Sequence, residues 1–346
     1  MTRTPRTSRT AALLAPAPRT GRARAVLRTL AIAACLPYIA LKSAWITGSR
    51  LGIPDHSTLL DHRTTMILAN GVSALMDGAV VVLAVLLTRP RAHRVPAWLL
   101  VLPIWVATGL LLPIMAGFPL QMLVRLLGGD AGGPDGSGSA ARPFLDEWVF
   151  GVVYTGFIVQ GLTLGTLFVL HARDRWGHLW QGTVRDLPDS PTTPVLRLAA
   201  VAASLLALVP VTMHLLWATG STAGLNEGRI AERTGDFYVL QAVDALFAVT
   251  AVAGALPLAF RLGGRLPLTV PLALAWGGSG AVACWGGWMS IASLGGVDGI
   301  GDRPTPAMGL IYAVQMLVGM LVLTLGAYFL AERNAAEARP LSAARA

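Results

Sequence analysis

Apolar positions along the chain gather into eight long runs, near residues 26–47, 65–88, 97–118, 148–170, 196–219, 237–260, 268–294 and 307–331, parted by short polar segments. Each run has about 20 residues or more, the length a helix needs to cross a hydrocarbon core of about 30 Å at about 1.5 Å per residue. The runs are continuous rather than alternating, which argues against a β-barrel, and lipid leaves only helices or closed barrels to satisfy the backbone. The pattern predicts an all-α polytopic membrane protein with eight transmembrane helices. Trp45, Trp98, Trp148 and Trp217 stand at run ends, where an aromatic belt would lie.

Composition agrees: 54% of the 346 residues are hydrophobic and only 13% charged, too apolar for a soluble domain. The net charge of +9 suggests nucleic acid until the bases are sorted by side. Nineteen arginines, from the seven between Arg3 and Arg28 to Arg333, Arg339 and Arg345, fall on one side of the eight runs. Seven fall on the other, namely Arg50, Arg63, Arg125, Arg142, Arg229, Arg233 and Arg303. The positive-inside rule absorbs the charge and places both termini in the cytoplasm. The expected surroundings are a lipid bilayer and no nucleic acid, and the Ala, Gly, Pro and Arg bias points to the plasma membrane of a GC-rich bacterium.

The segments between the runs complete the expected organisation. Residues 1–24 form a basic tail without acids, expected to be disordered in the cytosol beside anionic lipid. A first four-helix unit spans 25–173, a cytosolic linker 174–195, a second unit 196–333, and a tail 334–346. Within the linker, Trp176 and Trp180 suggest a short interfacial helix. Gly128 to Arg142 reads as a flexible Gly/Ser-rich loop. Ile32-Ala33-Ala34-Cys35 has the form of a lipoprotein cleavage box, but Arg28 interrupts the run before it and the apolar run continues after it, so the segment stays a helix.

Comparing the halves yields a tandem repeat. Trp45-Ile-Thr47-Gly48-Ser49-Arg-Leu-Gly52 recurs as Trp217-Ala-Thr219-Gly220-Ser221-Thr-Ala-Gly224. Pro96, Trp105 and Gly109 match Pro267, Trp276 and Gly280, and Thr163-Leu164-Gly165 with Phe168 matches Thr324-Leu325-Gly326 with Phe329. Four helices return the chain to its starting side, so the copies would be parallel, related by a pseudo-two-fold axis along the membrane normal and facing each other across a seam.

Polar residues inside apolar runs are costly and mark sites or pairs. Lys42, the only lysine, and His214 each precede a repeat tryptophan by three residues, while Asp77 and Asp244 lie in equivalent helices at depths about one turn apart. With Trp45 and Trp217 they form the candidate substrate-binding set, and Lys42 is placed to pair with Asp244. The alternative use of these residues is interhelical pairing, with Lys42 snorkelling to the interface. Gln160, Gln241 and Gln315 are expected to hydrogen-bond between helices, Gly161 and Gly165 to form a packing face, and Asp146 and Glu147 to complement the start of a helix.

Other chemistry has little apparatus. Cys35 and Cys284 lie in apolar runs without metal or disulfide spacing, most histidines lie in loops or at run ends, and there is no GxxxxGK[ST] or HExxH. No metal, cofactor or catalytic residue is expected. Gly277-Gly278-Ser279-Gly280 resembles the GxSG of rhomboid intramembrane proteases, which implies a serine activated by a histidine on another helix. In that family the histidine follows the serine, whereas His214 precedes Ser279. Leu36-Pro37-Tyr38 through Lys42 and Trp45 to Gly52-Ile53-Pro54-Asp55 resembles segments of multipass membrane proteins of GC-rich actinobacteria, which implies a membrane fold and no activity. The leading expectation is a transporter or permease that binds a small solute between the repeats. The rivals are a non-catalytic membrane subunit or sensor with a protein partner, and an intramembrane enzyme.

Overall fold

In the computed structural model the described residues are 19–55, 57, 63–89, 94–127, 145–187, 190–231, 233–295 and 303–343. They fold into α1 (Arg19–Ile46), α2 (Arg63–Leu87), α3 (Ala97–Leu126), α4 (Glu147–Trp176), α5 (Thr193–Ala218), the short α6 (Glu227–Ala231), α7 (Gly235–Phe260), α8 (Thr269–Gly295) and α9 (Pro306–Ala343). The loop read at Gly128 to Arg142 and most of the 1–24 tail lie outside the described residues.

The protein is an all-α polytopic membrane protein. Among the described residues seven helices are long and apolar enough to cross a membrane, namely α1 to α5, α7 and α9. The eighth long helix, α8, is not among them, because Gly277, Gly278, Ser279, Gly280, Gly286 and Gly287 dilute its hydropathy. Several helices also outrun their apolar segments, α3 to Leu126 and α4 to Trp176 among them. α1 begins at Arg19, inside the expected tail, and α9 continues to Ala343. Where the linker was expected to carry a short interfacial helix, α4 runs through Trp176 into a 3-10 helix over Gly177–Trp180.

Proline is tolerated within α1, α3, α5 and α7, as is common in membrane helices. Small residues then decide which helices meet. A Cβ on Gly109 of α3 would overlap the backbone of Gly280 on α8, one on Gly278 would overlap Ala251 of α7, and one on Gly319 of α9 would overlap Ser279 and Ala283. Such close backbone approach replaces the hydrophobic drive that lipid removes. α8 is therefore held between α7 and α9 and presses its glycine face onto α3. α1 packs on α2 and α4, as α5 packs on α7 and α9.

Ion pairs and loop bonds lock the ends. At the end bearing the termini, Arg24 of α1 pairs with Asp174 of α4, and Val184 N–H donates to Leu266 O at 2.9 Å. At the opposite end Arg125 of α3 pairs with Asp236 of α7, and Asp146 N–H donates to Gly52 O at 2.9 Å.

Candidate functional site

A cavity of about 350 Å³ lies between α3 and α4 on one side and α5, α7, α8 and α9 on the other. Apolar helix faces explain most of its wall: Pro113, Ile114 and Phe118 come from α3, Tyr154 and Phe157 from α4, Trp285 and Met289 from α8, and Met308 and Tyr312 from α9. It reaches Leu225 and Arg229 at the end of the bundle opposite the termini.

Its polar wall is built around His214, one turn inside the end of α5 and buried. The ring Nδ1 lies 2.7 Å from Gln241 Oε1 on α7, and the ring Nε2 lies 2.9 Å from Gln315 Nε2 on α9. An amide oxygen only accepts and an amide nitrogen only donates, so in this arrangement Nδ1 faces the acceptor of Gln241 and Nε2 the donor of Gln315. Both amides thus act between helices, as does Gln160. Asp244 Oδ2 stands 4.0 Å from the same Nδ1, and its side chain is 31% exposed against 4% for His214. The carboxylate faces the cavity, while the imidazole is spent on fixing the wall.

The candidate set divides. His214, Asp244 and Trp217 line the cavity, but Lys42, Asp77 and Trp45 do not. Nor does Lys42 pair with Asp244. Its Nζ donates to Asn70 Oδ1 at 2.8 Å and lies 4.8 Å from the Tyr38 ring centre and 4.9 Å from that of Trp45, so the ammonium is held by an amide and two aromatic faces instead of snorkelling free. Asp77 sits deeper in α2 and accepts from Gln160 Nε2 of α4 at 3.1 Å, with Asp77 Oδ2 and Gln160 Oε1 left without hydrogen-bond partners. Hydropathy gives the depth of a polar residue but not the direction it faces, which is why four residues of similar rank fall into two groups.

Several contacts recur between the halves. Trp45 Nε1 donates to Leu51 O at 2.8 Å, and Trp217 Nε1 to Ala223 O at 2.9 Å. Gly48 and Gly220 have φ of 98° and 100°, and Gly52 and Gly224 have 72° and 76°, so each turn needs glycine twice in the left-handed region. Lys42–Asn70 and His214–Gln241 join a base on α1 or α5 to an amide on α2 or α7. On the α3–α8 contact, Trp105 Nε1 donates to Ser279 Oγ and Trp276 Nε1 to Thr108 Oγ1, each at 3.1 Å. Asn70 escaped the sequence reading, although its place relative to Lys42 mirrors that of Gln241 relative to His214. Arg229 was counted only for topology, and Tyr154, Trp285 and Tyr312 carried no signal beyond being aromatic.

Ser279 is 1% exposed, accepts from Trp105 and donates to Trp276 O at 3.2 Å. With both nitrogens of His214 engaged by glutamines, serine and histidine share no hydrogen bond. No three or more His, Cys, Asp or Glu among the described residues group as a metal site. Outside the membrane helices, Asp186 accepts from the Thr183 backbone N–H and hydroxyl, both at 2.8 Å, which holds its carboxyl below the usual range. Comparison with protein-family models, curated proteins and solved structures found no match to the chain.

Proposed function

We propose that the chain is a solute-binding permease of the bacterial plasma membrane, with its site in the cavity between two copies of a four-helix unit. The observation that carries this reading is the cavity itself: a buried polar wall of His214, Gln241 and Gln315, a carboxylate facing inward, and aromatic cover from helices of both halves. Ligand pockets have this make-up, mostly apolar with a few fixed polar groups.

The duplication draws support from the recurring turns and above all from the Trp105–Ser279 and Trp276–Thr108 bonds. Shifting both members of one bond by 171 residues, forward for one and back for the other, gives the other bond, the relation a two-fold axis produces. The axis would pass where Gly109 meets Gly280. In this reading α8 is the eighth span, matching α3, and the arginine asymmetry puts both termini in the cytoplasm and the Arg229 end of the cavity outside. Duplicated parallel bundles place ligands at such a seam.

The test is capture of metabolites. Purified full-length protein in nanodiscs is incubated with a bacterial small-molecule extract, and retained solutes are identified by mass spectrometry. Wild type should retain at least one solute that a Met289→Trp variant, which fills the cavity, does not. Equal retention by both, or by neither, removes the cavity as a solute site.

A further inference from the structure

Two side chains of opposite formal charge, Asp244 and Arg229, line the cavity, and among the described residues neither pairs with a Lys, Arg, Asp or Glu. Among the described residues no lysine or arginine lies within ion-pair distance of Asp244, whose only near base is His214 at 4.0 Å, already committed to Gln241. Arg229, on α6 at the cavity's end, forms no ion pair with a carboxylate of the described residues. A carboxylate in a low-dielectric enclosure without a cation is costly, and a half-buried guanidinium facing the same space adds to the cost. A ligand bearing both complementary charges removes both costs at once.

We propose that the cavity takes a small zwitterion, its ammonium group seated against Asp244 and its acidic group turned to Arg229. This rests on the reading of the cavity as a solute site and names the class of solute. The walls favour the assignment. Trp217, Trp285, Tyr312 and Phe157 also line the cavity, and aromatic faces attract an ammonium through the ring quadrupole. The planar guanidinium fork of Arg229 matches a carboxylate or similar oxyanion. The roughly 350 Å³ volume stands near the lower limit of ligand pockets, about 300 Å³, which favours a solute of amino-acid or betaine size over an extended one.

The experiment uses full-length protein in nanodiscs and reads the fluorescence of the cavity tryptophans. The panel comprises two zwitterions, glycine betaine and L-leucine, a cation lacking the acid, choline, and an acid lacking the ammonium, isovalerate. A zwitterion should bind at least about tenfold more tightly than choline and isovalerate, and Asp244→Asn and Arg229→Gln should each weaken it by about tenfold or more. Asp244→Glu should keep most of the affinity, and a monodisperse elution profile for each variant separates lost binding from lost fold. Should neither zwitterion bind, a zwitterion among the captured metabolites supports the assignment. Capture of only cations, anions or neutral solutes that Met289→Trp excludes overturns it and leaves the cavity reading standing. So does zwitterion binding indifferent to either charge substitution. If nothing is captured, both fall.

Discussion

The contact of Gly109 with Gly280 is the point on which the packing of the two halves turns, and replacing Gly109 with alanine tests it. The new Cβ would overlap the Cα, C and O of Gly280, backbone atoms of a helix that α7 and α9 hold from behind, so α3 and α8 must move apart. Overpacking of a tight core costs about 1–3 kcal/mol. The separation also stretches the Trp105–Ser279 and Trp276–Thr108 bonds beside it, each worth about 0.6 kcal/mol by the average for polar contacts between membrane helices. Together these predict a loss of about 2–4 kcal/mol. Gly280→Ala should cost less, since its Cβ would meet Gly109 Cα at 3.1 Å and Trp105 O at 3.3 Å, distances a slight shift relieves. Gly165→Ala and Gly326→Ala, where a Cβ meets nothing within 4 Å, should be neutral or stabilising by up to about 1 kcal/mol, because alanine loses less backbone freedom in a helix. Unfolding in bicelles by steric trapping measures all four. A Gly109→Ala protein as stable as wild type, or Gly165→Ala as damaging as Gly109→Ala, would refute the close-contact account.

Three further outcomes follow from the same structure. Gln160→Leu removes the one donor to buried Asp77 among the described residues and should destabilise by about 1–3 kcal/mol, whereas Asp77→Asn, which keeps an acceptor for Gln160 and removes a charge, should be neutral or stabilising, as read by thermal unfolding. Gly48→Ala and Gly220→Ala each force a side chain into the left-handed region and should each lower stability by about 1–3 kcal/mol, with equal effects if the turns are equivalent. Asp186 has a depressed folded pKa, so its contribution is present above the unfolded carboxyl pKa and is lost as pH falls through the folded one. Thr183→Val, which removes the hydroxyl donor, should therefore narrow the stability difference between neutral and acid pH, and an unchanged pH profile would count against this bond.

The membrane helices were legible because lipid imposes length and continuity, which hydropathy reads directly. The overruns of α1 at Arg19 and α9 to Ala343 were not, since a helix leaving the membrane continues wherever no breaker stops it and its polar turns resemble a tail. The rule that polar residues in apolar runs mark sites picked out His214 and Asp244, which line the cavity, and equally Lys42 and Asp77, which do not. A run of 20 residues tells how deep a side chain lies but is silent on its azimuth, and azimuth decides which helix it meets. Gly161-Leu-Thr-Leu-Gly165 makes the same point: a Cβ on Gly161 would collide with Met115 of α3, while Gly165 faces open space. The small-residue spacing was readable, but only one of the two positions packs.

On the proposed duplication, one copy of the centre lines the cavity and the other does not, and the residues suggest why. In the first half Tyr38 lies one turn before Lys42, stacks against the ammonium and meets the Phe157 ring edge-on at 4.9 Å, filling the space beside the base. One turn before His214 stands the smaller Pro210, which puts no aromatic ring in that place. The base changes along with it: the lysine meets one amide and two aromatic faces, whereas the histidine meets two glutamines. A protein that had merely kept two packing centres would gain nothing from lining a cavity with one of them. Tyr38→Ala offers a direct comparison, since deleting the ring should open space beside Lys42 without creating binding for a solute that Asp244 and Arg229 select. Enlarged space that then binds the same zwitterion as tightly would show that cavity volume, and not the charge pair, sets recognition.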